Sequence, residues 1–531
     1  MRVMNSILCA ILLLLSAKAA AAPDLPTYAV TDLKALGIWP VAMNGRGDVV
    51  GRGASDTPGT SPTHTYLFSA GSVTELFPPT DAPNATYPVL LNDAGHVVFE
   101  TNTYTGWVYD GVGYRRIEPP APADAQYAVS YFRASGLNAA GQIAGEVSYQ
   151  SSGPAFGSWA WLDDRGMVQV LNPLGARSCG VRGLTKWGDV ALMCDFGFST
   201  EQGQVYKYVL GVRYRDGSWR EIDDRYVDLV GINDSRAVLV GGNSDVPSYL
   251  LDDAGTHTID PICDEGSSLC RAGVQTLNDR GEVVGLSSFN TSTPQLPQVR
   301  TIQRALLWRN GLSTDISPPG NGNSRAWSIN NHGVAVGTYI NEAGKERPFI
   351  HVSGTSMDLA ELRGVGEALD LALAESNSVG VEIVDSGHIL VTSVWMNMKL
   401  GLYVLNGAHL LSPVVPTLSL TTTGTSVQVG TPVTLTWGSQ NANYCVAGGG
   451  TSGDGWAGER ATTGQATLTS NLAATVQYSM RCSAGPVSGN ANVSVVFDPV
   501  SPNRKSGGGG YMDVLAVLGL AGLRLSRRRK H

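Results

Sequence analysis

The chain has 531 residues, 43% of them hydrophobic and only 15% charged, with 64 glycines, 27 prolines and 40 aromatic residues. That aromatic content excludes a disordered chain, and the missing Gly-X-Y register and sparse helix formers exclude collagen and coiled coil. With its two basic ends set aside, the body carries 28 Lys and Arg against 44 Asp and Glu, a net charge of −16, which argues against nucleic acid as a partner.

The first predicted element is a secretory signal over residues 1–21. Arg2 supplies the positive start, residues 7–15 the apolar stretch, and Ala19, Ala20 and Ala21 the small residues for cleavage next to Ala21. The apolar run is well short of the roughly 20 residues that a membrane span needs.

From residue 27 to 413 one phrase recurs: Leu or Ile, Asn, two residues, Gly, one residue, then Val-Val-Gly or a close variant. Its anchors are Asn44, Asn92, Asn138, Thr185, Asn233, Asn278, Asn330 and Val384, spaced 45 to 54 residues apart. Thr185 and Val384 lack the Asn, and Arg236 stands where other copies have the Gly. Asn at the start of a turn bonds the turn backbone, Gly three residues later accepts a left-handed conformation, and the valines that follow make a buried strand. Each phrase is therefore a predicted hairpin. A second hairpin follows, an aromatic-rich strand and a turn leading to Leu or Ile: Tyr66 to Leu76, Trp107 to Ile117, Trp159 to Leu171, Leu306 to Ile316 and, in the last copy, Tyr403 to Leu411. Two hairpins in about 48 residues have the length and content of a propeller blade. The predicted fold is all-β: a β-propeller of about eight four-stranded blades, or seven if the last copy is aberrant.

The pattern changes at residue 416. Residues 433–437 alternate as a strand, 476–482 and 492–497 add two more, and one Cys pair lies within about 80 residues, which predicts a β-sandwich over 416–498. A Pro/Gly/Ser linker over 499–510 ends in Gly507, Gly508, Gly509 and Gly510. The tail over 511–531 is an apolar segment, a short predicted hydrophobic helix, followed by a basic end that includes Arg527, Arg528 and Arg529. Six cysteines remain once Cys9 leaves with the signal. They form three local pairs, Cys179 with Cys194, Cys263 with Cys270 and Cys445 with Cys482, and exported chains hold such pairs as disulfides. A zinc site would want four ligands with C-x2-C spacing, which the sequence lacks.

The repeated I-N-x-x-G-x-V-V-G phrase, with segments such as His64-Thr65-Tyr66-Leu67-Phe68 and Ala305-Leu306-Leu307-Trp308, resembles the HAF-repeat extracellular proteins. Residues 28–33 resemble the strand that opens such arrays. The resemblance implies a secreted or surface protein and transfers no activity, catalytic residues or cofactor. The sandwich resembles bacterial Ig-like modules of surface proteins, although its Trp437 precedes the first Cys, unlike antibody domains, so the Cys pair is not expected to join the two sheets. The Gly run, apolar segment and basic cluster resemble GlyGly-type C-terminal sorting signals of Gram-negative bacteria. That resemblance implies export machinery and a rhomboid-type sorting protease as partners, with transient anchoring in the inner membrane through the tail.

Several motifs invite a sharper reading. Arg46-Gly47-Asp48 spells an integrin-type tripeptide but occupies the repeat turn. Asp163-Asp164, Asp223-Asp224 and Asp252-Asp253 could be acid/base pairs, yet all lie in or beside predicted turns, where Asp is common. His96, His332 and His388 recur near the repeat Gly on separate copies. No G-x-S-x-G, H-E-x-x-H or G-x-x-x-x-G-K-[ST] occurs. The expectation is an exported, cell-surface binding or structural protein, non-enzymatic and without cofactor, whose propeller funnel takes a glycan or protein ligand. The alternative is a secreted polysaccharide hydrolase or lyase. Carboxylates or histidines converging at one channel mouth favour the enzyme; an aromatic-lined mouth favours binding.

Overall fold

A strand with apolar side chains at successive positions must bury both of its faces, and a stack of sheets provides this. In the computed structural model the second strand of each repeat does so. Val49 and Val50, Val97 and Val98, Ile143 and Ala144, Val190 and Ala191, and Val283 and Val284 are fully shielded, packed on the sheets to either side. The structure describes residues 25–500 except 54–63, 78–85, 102, 119, 121–127, 151–157, 201–202, 206, 294–295, 321, 367–368, 370–377 and 398–401. The predicted signal with Ala21, the Gly507 to Gly510 run, Arg527, Arg528, Arg529 and the predicted tail helix lie outside the described residues. Among the described residues, no helix is long and apolar enough to cross a membrane.

Eight four-stranded antiparallel sheets form the blades of a β-propeller. Seven are continuous in sequence, over 38–76, 86–117, 128–170, 178–223, 228–258, 268–315 and 324–358. The eighth differs from the expected hairpin at Tyr403 to Leu411. Leu402–Pro413 is one strand, paired throughout with Ile389–Asn397, and Asn406 forms a bulge where a turn was expected. Its outer partner is Tyr28–Asp32 from the start of the chain, in antiparallel register from Tyr28 opposite Pro413 to Asp32 opposite His409. The ring is thus closed by joining the two ends of the repeat region in one sheet. The physical reason is that an edge strand left at either end would expose unpaired N–H and C=O groups.

Seven of the eight innermost strands carry a β-bulge at the same place, three residues before the anchor, as between Pro40 and Ala42 or Ala134 and Gly136. The glycine after the paired apolar residues lies opposite this bulge. A side chain at Gly51, Gly145, Gly285 or Gly337 would collide with a main-chain carbonyl of the innermost strand, so the second Gly of the phrase answers a close backbone approach.

The C-terminal unit is a sandwich of a three-stranded and a five-stranded sheet over 417–498. Trp437, Trp456 and Tyr478 meet edge-to-face in its core, with ring centroids 5.7 and 5.9 Å apart. Ser426–Gln428 runs parallel to the last strand, Val487–Asp498. All three cysteine pairs are disulfides. Cys445 and Cys482 lie opposite each other on neighbouring strands of the five-stranded sheet, so that bridge stays within one sheet, as the position of Trp437 implied.

Candidate functional site

The propeller has two unlike faces. One carries the turn between the first and second strands of every blade and, in the seven continuous blades, the turn between the third and fourth. The anchor Asn accepts through Oδ1 from the N–H groups two and four residues on, as Asn92 does from Ala94 and His96 and Asn278 from Arg280 and Glu282. Its Nδ2 does something the sequence did not reveal: it crosses to the anchor carbonyl of the next blade. Asn44 reaches Asn92 at 3.0 Å, Asn92 reaches Asn138 at 2.8 Å, and Asn138 reaches Thr185 at 3.0 Å. Asn233 reaches Asn278 at 2.8 Å, Asn278 reaches Asn330 at 2.9 Å, and Asn330 reaches Val384 at 3.2 Å. The ladder thus forms two arcs of three bonds, interrupted at the two copies without Asn.

The residue after the anchor reinforces the same seams. Asp93 accepts from the Gly45 N–H, Asp234 from Lys186, Asp279 from Asp234, and Asp385 from Asn331. These carboxylates converge around one channel mouth, the feature expected of an enzyme, but they are spent on stapling blade to blade. The other tempting groups are also consumed. Asp48 of the Arg-Gly-Asp triplet is buried and receives Asn44, Arg46 and Ser69, so the tripeptide is not presented. Asp163 is buried, accepts from the Gly166 N–H and pairs with Arg115 at 2.8 Å. Burial would raise the Asp223 carboxyl, but hydrogen bonds from Arg225 and Tyr249 overcome this and hold it down to about 2. Asp252 pairs with His257 at 3.0 Å. His96 and His388 press their rings over the repeat glycines of the following blades, Gly141 and Gly47, and His332 sits on another blade. Among the described residues, no three His, Cys, Asp or Glu side chains could hold a metal ion.

The lost Gly of blade 5 also has a structural account. Arg236 adopts φ 65°, and its guanidinium meets the fully buried carboxylate of Asp189 at 2.7 Å.

The opposite face carries the connections between second and third strands and those between blades. The connections between second and third strands vary from two residues in blade 6 to twelve in blade 4, where they include the hairpin Phe198–Thr200 with Gly203–Val205. The sandwich leaves from the turn face: Pro486 lies against Gly387 of the last repeat turn, and Asn443 bonds the Leu25 carbonyl. The loop face therefore points away from it. Loops of uneven length on a rigid scaffold are where binding groups concentrate.

A cavity of about 440 Å³ opens on this face between blades 5 and 6. Its floor is apolar, from Val246, Ile259, Ala272 and Leu286, and Asp245 and Arg271 stand exposed in its wall. The Cys263–Cys270 disulfide pins the adjoining loop. Asn243, another wall residue, bonds the Tyr226 carbonyl at 3.0 Å. Tyr226 and Leu269 flank the cavity, 68% and 66% exposed, with φ of 62° and 52°. Of the seven other described non-glycine residues with positive φ, Ala70, Arg165, Asn310 and Ser353 sit in two-residue hairpin turns that require it, Arg236 in the repeat turn, and Tyr104 and Asn441 in other short connections. Leu269 instead lies in a β-bulge between Ser268 and Arg271, and Tyr226 in the short connection between blades 4 and 5. An apolar-floored cavity flanked by two exposed apolar side chains is the candidate binding surface. The candidate site is thus peripheral, between two blades, where the sequence pointed to the central funnel.

The channel itself contributes one unusual group. On the innermost strand of blade 8, Ser378, Gly380 and Glu382 alternate with buried valines and Ile383, so Glu382 faces the channel. Its side chain is exposed to the channel, and the crowding of protein around it pushes the carboxyl up to about 7.

A scan against protein-family models finds no match, and no curated protein matches the sequence. Among solved structures, the chain is similar to the β-propeller domain of the trilobed protease of Pyrococcus furiosus (11% identity, 65% of this chain and 99% of that chain, TM-score 0.38). It is also similar to a fungal alcohol oxidase in complex with copper (13% identity, 89% and 100%, TM-score 0.35) and to the polysaccharide lyase Uly1 (11% identity, 73% and 97%, TM-score 0.33). Likenesses this remote carry no argument about ligand or chemistry.

Proposed function

We propose that this is an exported, cell-surface-associated binding protein that takes a glycan or protein ligand on the propeller's loop face, at the cavity between blades 5 and 6. The observation that carries the reading is the pair Tyr226 and Leu269, held exposed and left-handed beside an apolar-floored cavity on the face opposite the sandwich. The three disulfides suit an oxidising, extracytoplasmic compartment. In this reading the sandwich is an Ig-like stalk, the repeats are of the HAF type, and the basic tail is a sorting signal cut in or near Gly507 to Gly510. The test is a glycan and polysaccharide array probed with the exported protein and with Tyr226→Ala and Leu269→Ala, scored for binding and for cleavage products. Binding lost in both variants supports the reading; undiminished binding in both refutes the site. Recovery of an intact His531 from surface-exposed protein would refute processing of the tail.

The second reading, a polysaccharide hydrolase or lyase, is favoured by one observation, the channel-facing Glu382, whose raised pKa suits proton transfer near neutrality. Cleavage products in the array that vanish with Glu382→Gln would establish it.

A further inference from the structure

The sandwich has an outward face that no contact within the chain accounts for. In its five-stranded sheet, alternate residues point away from the core: Cys445, Ala447, Tyr478, Met480 and Cys482 are buried, whereas Tyr444, Val446 and Arg481 are exposed. The pairing places these side chains in rows across the sheet. Tyr444 lies opposite Ser483, Val446 opposite Arg481, Arg481 opposite Asn490, and Ser479 opposite Asn492. Gly448 opposite Ser479 leaves a notch, and the surface there forms a concavity of about 470 Å³. Tyr444 is 44% exposed, and among the described residues Arg481, Asn490 and Asn492 make no side-chain hydrogen bond or ion pair. The nearest opposite charge in the row is Glu459, which lies across Val446 from Arg481. One Arg and one Glu leave the platform without net charge.

We propose that this platform is a second binding site, independent of the propeller, and that its ligand is an uncharged polysaccharide. The chemistry follows from the side chains. A half-exposed Tyr ring offers an apolar plane on which the C–H face of a pyranose can rest. Two amides and a guanidinium offer donors and acceptors for hydroxyl pairs in a fixed geometry set by the strand register. The absence of net charge removes the long-range attraction that a polyanion would need. A flat, rigid sheet pays little ordering entropy on binding an extended chain.

The experiment is affinity electrophoresis of the exported, full-length protein in native gels containing hydroxyethyl cellulose, xyloglucan or galactomannan, with polygalacturonate as the anionic control. The wild type is expected to be retarded by at least one neutral polymer, equally at 50 and 500 mM salt, because a neutral ligand is not screened. Arg481→Ala and the double variant Asn490→Ala/Asn492→Ala should each weaken that retardation tenfold or more. Retardation that both platform variants keep and that Tyr226→Ala abolishes would belong to the propeller cavity and not to this site, so the two readings fail separately. All these side chains face solvent, so near-ultraviolet circular dichroism from the Trp437, Trp456 and Tyr478 core should match the wild type and certify folding. Migration unaffected by all three neutral polymers overturns the proposal. So does retardation by polygalacturonate alone, lost at high salt, or retention of binding in both platform variants.

Discussion

The two faces of the propeller are built from the same strands and obey different rules. On the turn face every blade ends in nearly the same short loop, and six anchor asparagines cross the seams to the next blade. On the loop face the connections differ from blade to blade, and Tyr226 and Leu269 stand exposed there with left-handed backbones. Periodic sequence has gone into closing a ring, and aperiodic sequence into a surface. Substitutions on the turn face should therefore cost stability, and those on the loop face should cost binding.

The largest expected effect is at the ladder. Asn138→Ala removes the bond to the buried Thr185 carbonyl and the Oδ1 that accepts from the Ala140 and Gln142 N–H groups of its own turn. Leaving these groups unpaired should cost about 3 kcal/mol in urea unfolding, against less than about 0.5 kcal/mol for Tyr226→Ala. Equal losses in the two variants would erase the distinction between the faces.

Next comes Arg236. Replacement by Ala strands the buried Asp189 carboxylate and keeps an L side chain at φ 65°. Replacement by Gly strands the carboxylate but relieves the backbone, so the Gly variant should be about 1 kcal/mol more stable than the Ala variant. If the two unfold together, backbone strain at this turn is negligible.

A smaller change tests the ladder in reverse. Thr185→Asn supplies one of the two missing donors, facing the Asn233 carbonyl across the seam between the two arcs. The expected gain is about 1 kcal/mol, read as a raised Tm. No gain, in a variant whose crystal structure shows the new bond formed, would mean that the ladder specifies register and adds little stability.

The smallest effect is a pH dependence in the channel, outside both faces, kept small by solvent screening because the Glu382 side chain is exposed. The folded chain holds the Glu382 proton to about pH 7, whereas an unfolded Glu releases it near 4.3. The raised folded pKa means that the associated stability is complete below the unfolded value and is lost as pH rises through 7. Glu382→Gln should therefore match the wild type at pH 4 and exceed its Tm at pH 8. A constant offset between the two curves would show that the carboxyl is fully solvated.

The local rules were legible in sequence because they depend on neighbours along the chain. Asn at the first turn position, Gly three later and a Val pair after it favour a hairpin whatever surrounds it, and the spaced copies predict about eight blades. The three cysteine pairs were legible for the same reason: each closes a short span. What the sequence could not show is what a side chain does across a seam. Asn92 and Asn138 are 46 residues apart, and their bond exists only because the blades close into a ring. The same closure turned Leu402–Pro413 from an expected hairpin into one long strand, since its outer neighbour is Tyr28–Asp32, supplied from the far end of the repeats. It also moved the candidate site out of the funnel, because the cavity lies where two loops from different blades diverge, and no pattern within either loop encodes the gap between them. Sequence alone decided the blades and their local chemistry, and left their number at seven or eight until the pairing of Tyr28–Asp32 with Leu402–Pro413 completed the eighth. Tertiary structure decided which polar groups were consumed in holding the ring and which were left to meet a ligand, because only packing determines which donors and acceptors find partners inside the protein.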